Sequence, residues 1–190
     1  MNEPVIGFRA WILQYEPELQ LKAVAMNYLW PVGTAEASCM TGPKTEPPKH
    51  PAPADGCRCG LHARTTLAGV LEEYPYYPVH GYWGYAMHAN PNRNFMVMGA
   101  VLMWGDIHRG DKVIRASHSR VLCLTDKDNP WVERQGSINP AGIAQDRRDE
   151  RAKAIESICQ AYGIPMVPYD TCEMYASEFG EYCGPRRSED

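Results

Sequence analysis

Cys39, His50, Cys57 and Cys59 are the residues whose types and spacing could do chemistry, in the pattern C-x10-H-x6-C-x-C. Thiolate and imidazole are the donors that zinc takes in a tetrahedron. Two sulfurs separated by one residue can face one ion if the backbone turns sharply, and Gly56 and Gly60 flank the pair and permit that turn. Four protein donors would close the coordination sphere, which makes the expected Zn2+ structural rather than catalytic. His62 is near enough to substitute for His50, or to orient the ligands from outside. The alternative is a set of ordinary buried thiols and a surface histidine in a loose loop. Cys123, Cys159, Cys172 and Cys183 fall on expected strand or helix faces and read as core thiols.

The segment that carries these donors holds Pro43, Pro47, Pro48, Pro51 and Pro53 with Gly42 and Gly56. It can be neither helix nor central strand. A loop this long inside a compact domain is functional, disordered or held by something. A metal would supply the order, since structural zinc contributes apparent free energies of ~10–16 kcal/mol in small sites.

Two further stretches could bind. Tyr82, Trp83 and Tyr85, with His80 and His88, form an aromatic loop that could anchor a protein partner, stack bases or fold back over the core. The hairpin 108–120 is the most basic region, and Arg109, Lys112, Arg115 and Arg120 could face phosphate. A solvated outer face is the ordinary reading of such a strand, and Arg115 could instead be a buried arginine paired with a carboxylate. Catalytic signatures are missing: there is no G-x-S-x-G, H-E-x-x-H, P-loop or G-x-G-x-x-G, nor the H-x-E and P-C-x-x-C of the zinc deaminases. A hydrolase or nuclease site assembled from scattered His and Asp residues is the weakest option.

The elements that must position these residues can be read in part. Val5 to Leu13 alternates, with Ile6, Phe8, Ala10 and Ile12 on one face and Arg9 on the other, which predicts a strand with one face in the core. Tyr28-Leu29-Trp30-Pro31 reads as a strand end or an aromatic plug. Leu67, Val70, Leu71 and Tyr74 recur at helical spacing after a Thr65 or Thr66 N-cap. Phe95 to Trp104 is a buried strand with a bulge or close backbone approach at Gly99, and Val113 to Leu124 returns as its hairpin partner. Asn139-Pro140 opens a helix with Ala152, Ile155, Ile158, Cys159 and Tyr162 as its apolar stripe, ended by Gly163 and Pro165. A last helix from Asp170 shows Cys172, Tyr175, Ala176 and Phe179 on one face.

These elements predict one α+β domain over residues 1–184: a small, mostly antiparallel curved sheet or barrel with an inserted zinc loop (37–63). An aromatic loop (74–92), C-terminal helices (about 140–183) and a flexible tail (185–190) complete it. A formal net charge of −4 over 190 residues argues against nucleic-acid binding by bulk electrostatics. The N-terminus lacks a secretory signal, and the longest apolar run is about half of a membrane-spanning helix. The expected place is therefore the cytoplasm, where closely spaced cysteines point to metal before disulfides. The oligomeric state is not legible.

The chain also resembles a group of short, mostly uncharacterised proteins of actinobacteria and their phages. The likeness is carried by Gly7-Phe8-Arg9-Ala10-Trp11, Trp30-Pro31-Val32-Gly33, Ala37-Ser38-Cys39, His50-Pro51-Ala52-Pro53 and Cys57-Arg58-Cys59-Gly60-Leu61-His62-Ala63. It continues through Gly99 to Gly105, Arg115-Ala116 and Tyr162-Gly163-Ile164-Pro165. His62 stands where that pattern has an aromatic residue, and residues 74–89 look enlarged. The resemblance implies the metal site and a single domain, and it brings no reaction. The expected role is a non-enzymatic, zinc-stabilised interaction module that binds a host protein. The alternative is a small-barrel nucleic-acid binder using the basic hairpin.

Overall fold

The computed structural model describes residues 3–14, 18–24, 26, 28–39, 50–74, 96–125 and 145–184. The aromatic loop beyond Tyr74, the helix start at Asn139, the tail 185–190 and most of the Pro-rich run lie outside them. The chain is α+β. Among the described residues, seven strands, β1 (Val5–Gln14), β2 (Gln20–Ala23), β3 (Thr34–Glu36), β4 (Leu61–Arg64), β5 (Met96–Arg109), β6 (Val113–Thr125) and β7 (Glu181–Tyr182), form one sheet. The helices among the described residues are α1 (Leu67–Glu73), α2 (Gln145–Tyr162) and α3 (Cys172–Ser177), the last entered through a 3-10 turn at Tyr169–Thr171.

The long β5–β6 hairpin is the frame. β1 runs antiparallel to β5 from Val5↔Met103 to Ile12↔Met96. Its opposite edge is shared by β7 at residues 5–6, β4 at Phe8 and β2 at residues 11–14. Because β4 also pairs with β6, the path β1–β5–β6–β4 returns to β1. That closure rests on the single pair Phe8↔Arg64, so the sheet is a curved ring and not a continuous barrel. β5 carries 14 residues and bends through two register shifts, after Ala100 and after Trp104. Such shifts add the local twist that curves a sheet.

The sheet buries both faces. Ile6, Phe8, Ala10 and Ile12 pack with Leu67 and Val70 of α1 and with Cys172 and Ala176 of α3. Val5, Trp11 and Leu13 face the other way into a second core, closed by Trp30 and by Ala154, Ile155, Ile158 and Cys159 of α2. The expectation of a single buried face for β1 is corrected by this second core. Arg9 made the odd-numbered face look wet. Its guanidinium instead lies 4.3 Å from the ring centre of Trp30 and 5.6 Å from that of Trp11, and donates to the His62 carbonyl at 2.9 Å. A cation over an indole face is held by the ring quadrupole. Burial still lowers the Arg9 pKa to about 10.

Local signals position the rest. Thr66 caps α1, its Oγ1 accepting from Gly69 N at 2.9 Å, and Glu173 of α3 accepts from Leu67 N at 2.9 Å. Gly99 is the expected close approach: a Cβ there would overlap the Cys123 carbonyl oxygen. On α2 the buried stripe is Ala154, Ile155, Ile158 and Cys159, and Ala152 is exposed. Helical periodicity centres the stripe on the 154/155/158/159 set, which leaves 152 to one side. Tyr162 ends the stripe and donates from its hydroxyl to the Trp30 carbonyl at 2.5 Å, locking the aromatic plug under the helix. Phe179 falls beyond α3 and stays 40% exposed.

Candidate metal centre

β6 brings the four donors together. β3 pairs with β6 as Thr34↔Arg120 to Glu36↔His118, and Ala37 N continues the ladder to Ser117 O at 2.8 Å. β4 resumes one step further along the same edge, at Leu61↔Ala116. β3 and β4 therefore lie end to end beside β6, and residues 38–60 are an excursion from what is otherwise one strand. Cys39 sits two residues beyond the exit and Cys59 two residues before the return. A ligand bridging them would cross-link the base of the excursion.

The four side chains meet there. One ligand atom from each of Cys39, His50, Cys57 and Cys59 lies within 4.8 Å of the others. Cys39 Sγ is 3.4 Å from His50 Nε2 and 3.9 Å from Cys57 Sγ. Zn–S of about 2.3 Å and Zn–N of about 2.0–2.1 Å in a tetrahedron put neighbouring donors ~3.5–3.8 Å apart. The group could hold a metal ion of that size with little movement. Cys39 is buried and the other three are half-buried, so the site lies at the seam between loop and sheet.

Second contacts prepare the donors. His50 Nδ1 donates to the Pro51 carbonyl at 2.8 Å, which leaves Nε2 with its lone pair free for a cation. The same bond pushes the imidazole above its ordinary pKa. Burial pushes the Cys59 thiol up. Bound cation would reverse that balance, because the thiolate is the ligand. The Cys57–Cys59 turn is made by Gly56 at φ 72° and Gly60 at φ 121°, conformations that a side chain resists.

His62 stays outside this set. It stands on β4, and its Nε2 donates to the Arg58 carbonyl at 2.7 Å, in the turn between the two cysteines. Its contact is with the backbone that carries the ligands. Burial lowers its pKa. Cys123 and Cys172 meet at 3.7 Å in the core that Ile6 and Phe8 share with α3, Cys159 is buried with its pKa pushed up to about 11, and Cys183 is half-buried.

The hairpin cations have separate engagements. Arg109 pairs with Glu181 at 2.7 Å, and Lys112 with Glu72 at 3.8 Å. Arg120 is exposed and lines a shallow groove with Tyr175 and Phe179. Arg115 turns toward the excursion, where it meets the carbonyls of Cys57 and Cys59. The sequence alone offers it phosphate or a carboxylate. No pattern in the chain signals a carbonyl partner that lies more than fifty residues away. Tyr82, Trp83 and Tyr85 fall outside the described residues. Among the described residues no helix is long and apolar enough to cross a membrane. Comparison with protein-family models, with curated proteins and with solved structures gives no match.

Proposed function

We propose that the chain is a non-enzymatic module, stabilised by one structural Zn2+, that works by binding another protein. The observation that carries the metal part is the convergence of three thiols and one imidazole within 4.8 Å at the base of residues 38–60. Cys3His is a donor set that suits zinc, and four protein ligands leave no place for water or substrate. The ion would act on folding and loop order, and not on a reacting bond.

Apolar side chains left on the surface support the protein-binding part. Val32 and Met174 are 61% and 66% exposed, and Met26 and Met166 are about half exposed. Arg109 and Lys112 are engaged in intramolecular pairs and Arg115 with loop carbonyls, which favours a protein partner over nucleic acid. The resemblance to proteins of actinobacteria and their phages suggests a phage or prophage origin, a bacterial host protein as the partner and the cytoplasm as the place of work. Tyr82, Trp83 and Tyr85 are the proposed anchors.

The test compares host-lysate pull-downs by the zinc-loaded chain, the chelated chain and the Tyr82→Ala/Trp83→Ala/Tyr85→Ala variant. The reading expects one stoichiometric band with the loaded chain and its loss with the variant. Equal recovery by all three would remove the proposed contact. A salt-sensitive shift of nucleic acid by the loaded chain would favour the other reading.

A further inference from the structure

We propose that Arg115 is the outer-sphere clamp and counter-ion of the metal centre, a positioning residue that makes the Cys57–Cys59 turn bind its cation. The inference rests on the metal reading above and goes beyond it, because none of the four ligands accounts for how the turn is held. Arg115 stands on β6 opposite His62 on one side and His108 on the other, under the returning end of the excursion. Its Nη1 donates to the carbonyls of both Cys57 and Cys59, the latter at 3.2 Å, and its Nη2 donates to His108 Nδ1 at 3.2 Å. Nη1 thus grips both ends of the C-x-C turn while the other arm of the planar fork reaches His108, a three-point contact that lysine, without the fork, does not reproduce.

Charge gives the second argument. Arg115 is half-buried, and among the described residues no carboxylate reaches it within ion-pair distance. The nearest acid on its network is Asp55, whose side chain is fully exposed and which lies 3.4 Å from His108 Nδ1. A half-buried guanidinium whose partners are two carbonyls and an imidazole lacks a counter-charge. Three thiolates and a neutral imidazole around a divalent cation carry a net charge of about −1. The filled site supplies the missing charge, and the arginine lowers the cost of gathering three thiolates in one place. The fit extends to the backbone: a Cβ on Gly60 would come within 3.2 Å of Arg115 Cβ, so the turn is seated directly on the arginine.

The test is a zinc competition titration on the full-length chain against a chromophoric chelator, for the wild type, Arg115→Met and Arg115→Lys. Thermal melts of each are taken metal-free and zinc-loaded. Partners that orient metal ligands are worth about 10–100-fold in affinity. Arg115→Met is expected to bind Zn2+ at least tenfold more weakly and to lose part of the stabilisation that zinc gives the wild type. Arg115→Lys, which keeps the charge and loses the fork, is expected between the two and serves if the methionine variant does not fold. A purely structural arginine would lower metal-free and loaded melts equally and leave zinc affinity within about twofold, and that outcome overturns the proposal. If the wild type itself takes up no Zn2+, the metal reading falls and this inference falls with it. Tight wild-type binding matched by both variants removes the inference alone.

Discussion

Cys57→Ser replaces one thiolate of the four-donor set by a poor zinc ligand while changing little volume. The variant is expected to lose stoichiometric zinc and to melt at least ~10 °C below the loaded wild type, since about 1 kcal/mol moves the midpoint of a chain this size by ~2–4 °C. Cys183→Ser, half-buried and away from the cluster, is the control and is expected to keep both metal and midpoint. Glycine substitutions separate packing from turn geometry. Gly99→Ala drives a methyl into the Cys123 carbonyl and is expected to cost ~3 kcal/mol or more, because backbone occupies the space. Gly60→Ala meets Arg115 and Pro53 at 3.2 Å with φ at 121°, so its loss should appear in zinc affinity as well as in the melt. Chemical denaturation with and without chelator measures each.

The elements depend on a few polar contacts between distant parts of the chain. The first turn of α1 is satisfied twice, by its own Thr66 and by Glu173 of α3. Thr66→Ala is expected to cost about 1 kcal/mol. Because both acceptors serve one helix end, Thr66→Ala and Glu173→Ala should not add, and a double-mutant cycle would show coupling of about 0.5 kcal/mol or more. β7 is tied to β5 by Arg109 and Glu181. The arginine holds the Glu181 carboxyl below its ordinary pKa. A depressed carboxyl contributes stability above its unfolded value, and that contribution is lost as pH falls through the lowered folded value. Acid unfolding of Glu181→Gln should therefore lose this part of the pH dependence, a small effect for an exposed pair.

Short elements were the hardest to read from sequence. β2, β3, β4 and β7 carry four, three, four and two residues, too few for a period of two to show, and none of them is legible. β1, the β5–β6 hairpin, α1 with its Thr66 cap and the end of α2 at Tyr162 were legible, because each spans enough residues for its periodicity or caps to show. The second core was hidden by Arg9, whose charge argues for solvent until Trp30 is seen beneath it.

At the scale of the whole molecule, the ring of strands turns a sequence motif into a site. The spacing of Cys39, His50, Cys57 and Cys59 named the donors, since thiols and an imidazole close together in a Pro-rich loop have few other uses. It gave no hint that β3 and β4 are two halves of one interrupted strand, which is what brings the ends of the loop side by side. Nor could it assign Arg115, because that contact depends on the register of β4 against β6. The molecule is accordingly expected to respond to metal as a unit. Chelation should loosen residues 38–60 first, seen as faster amide exchange there, while the β1–β5–β6 sheet stays protected until global unfolding.

The most direct test is the zinc content of the full-length chain purified without chelator or affinity metal, measured by mass spectrometry of the element. Absorption of the Co2+-substituted protein accompanies it. The account predicts about one Zn2+ per chain and the intense visible bands of a tetrahedral, thiolate-rich Co2+ site, both lost in Cys57→Ser. A metal content near zero, or wild-type content retained after Cys57→Ser, would contradict it.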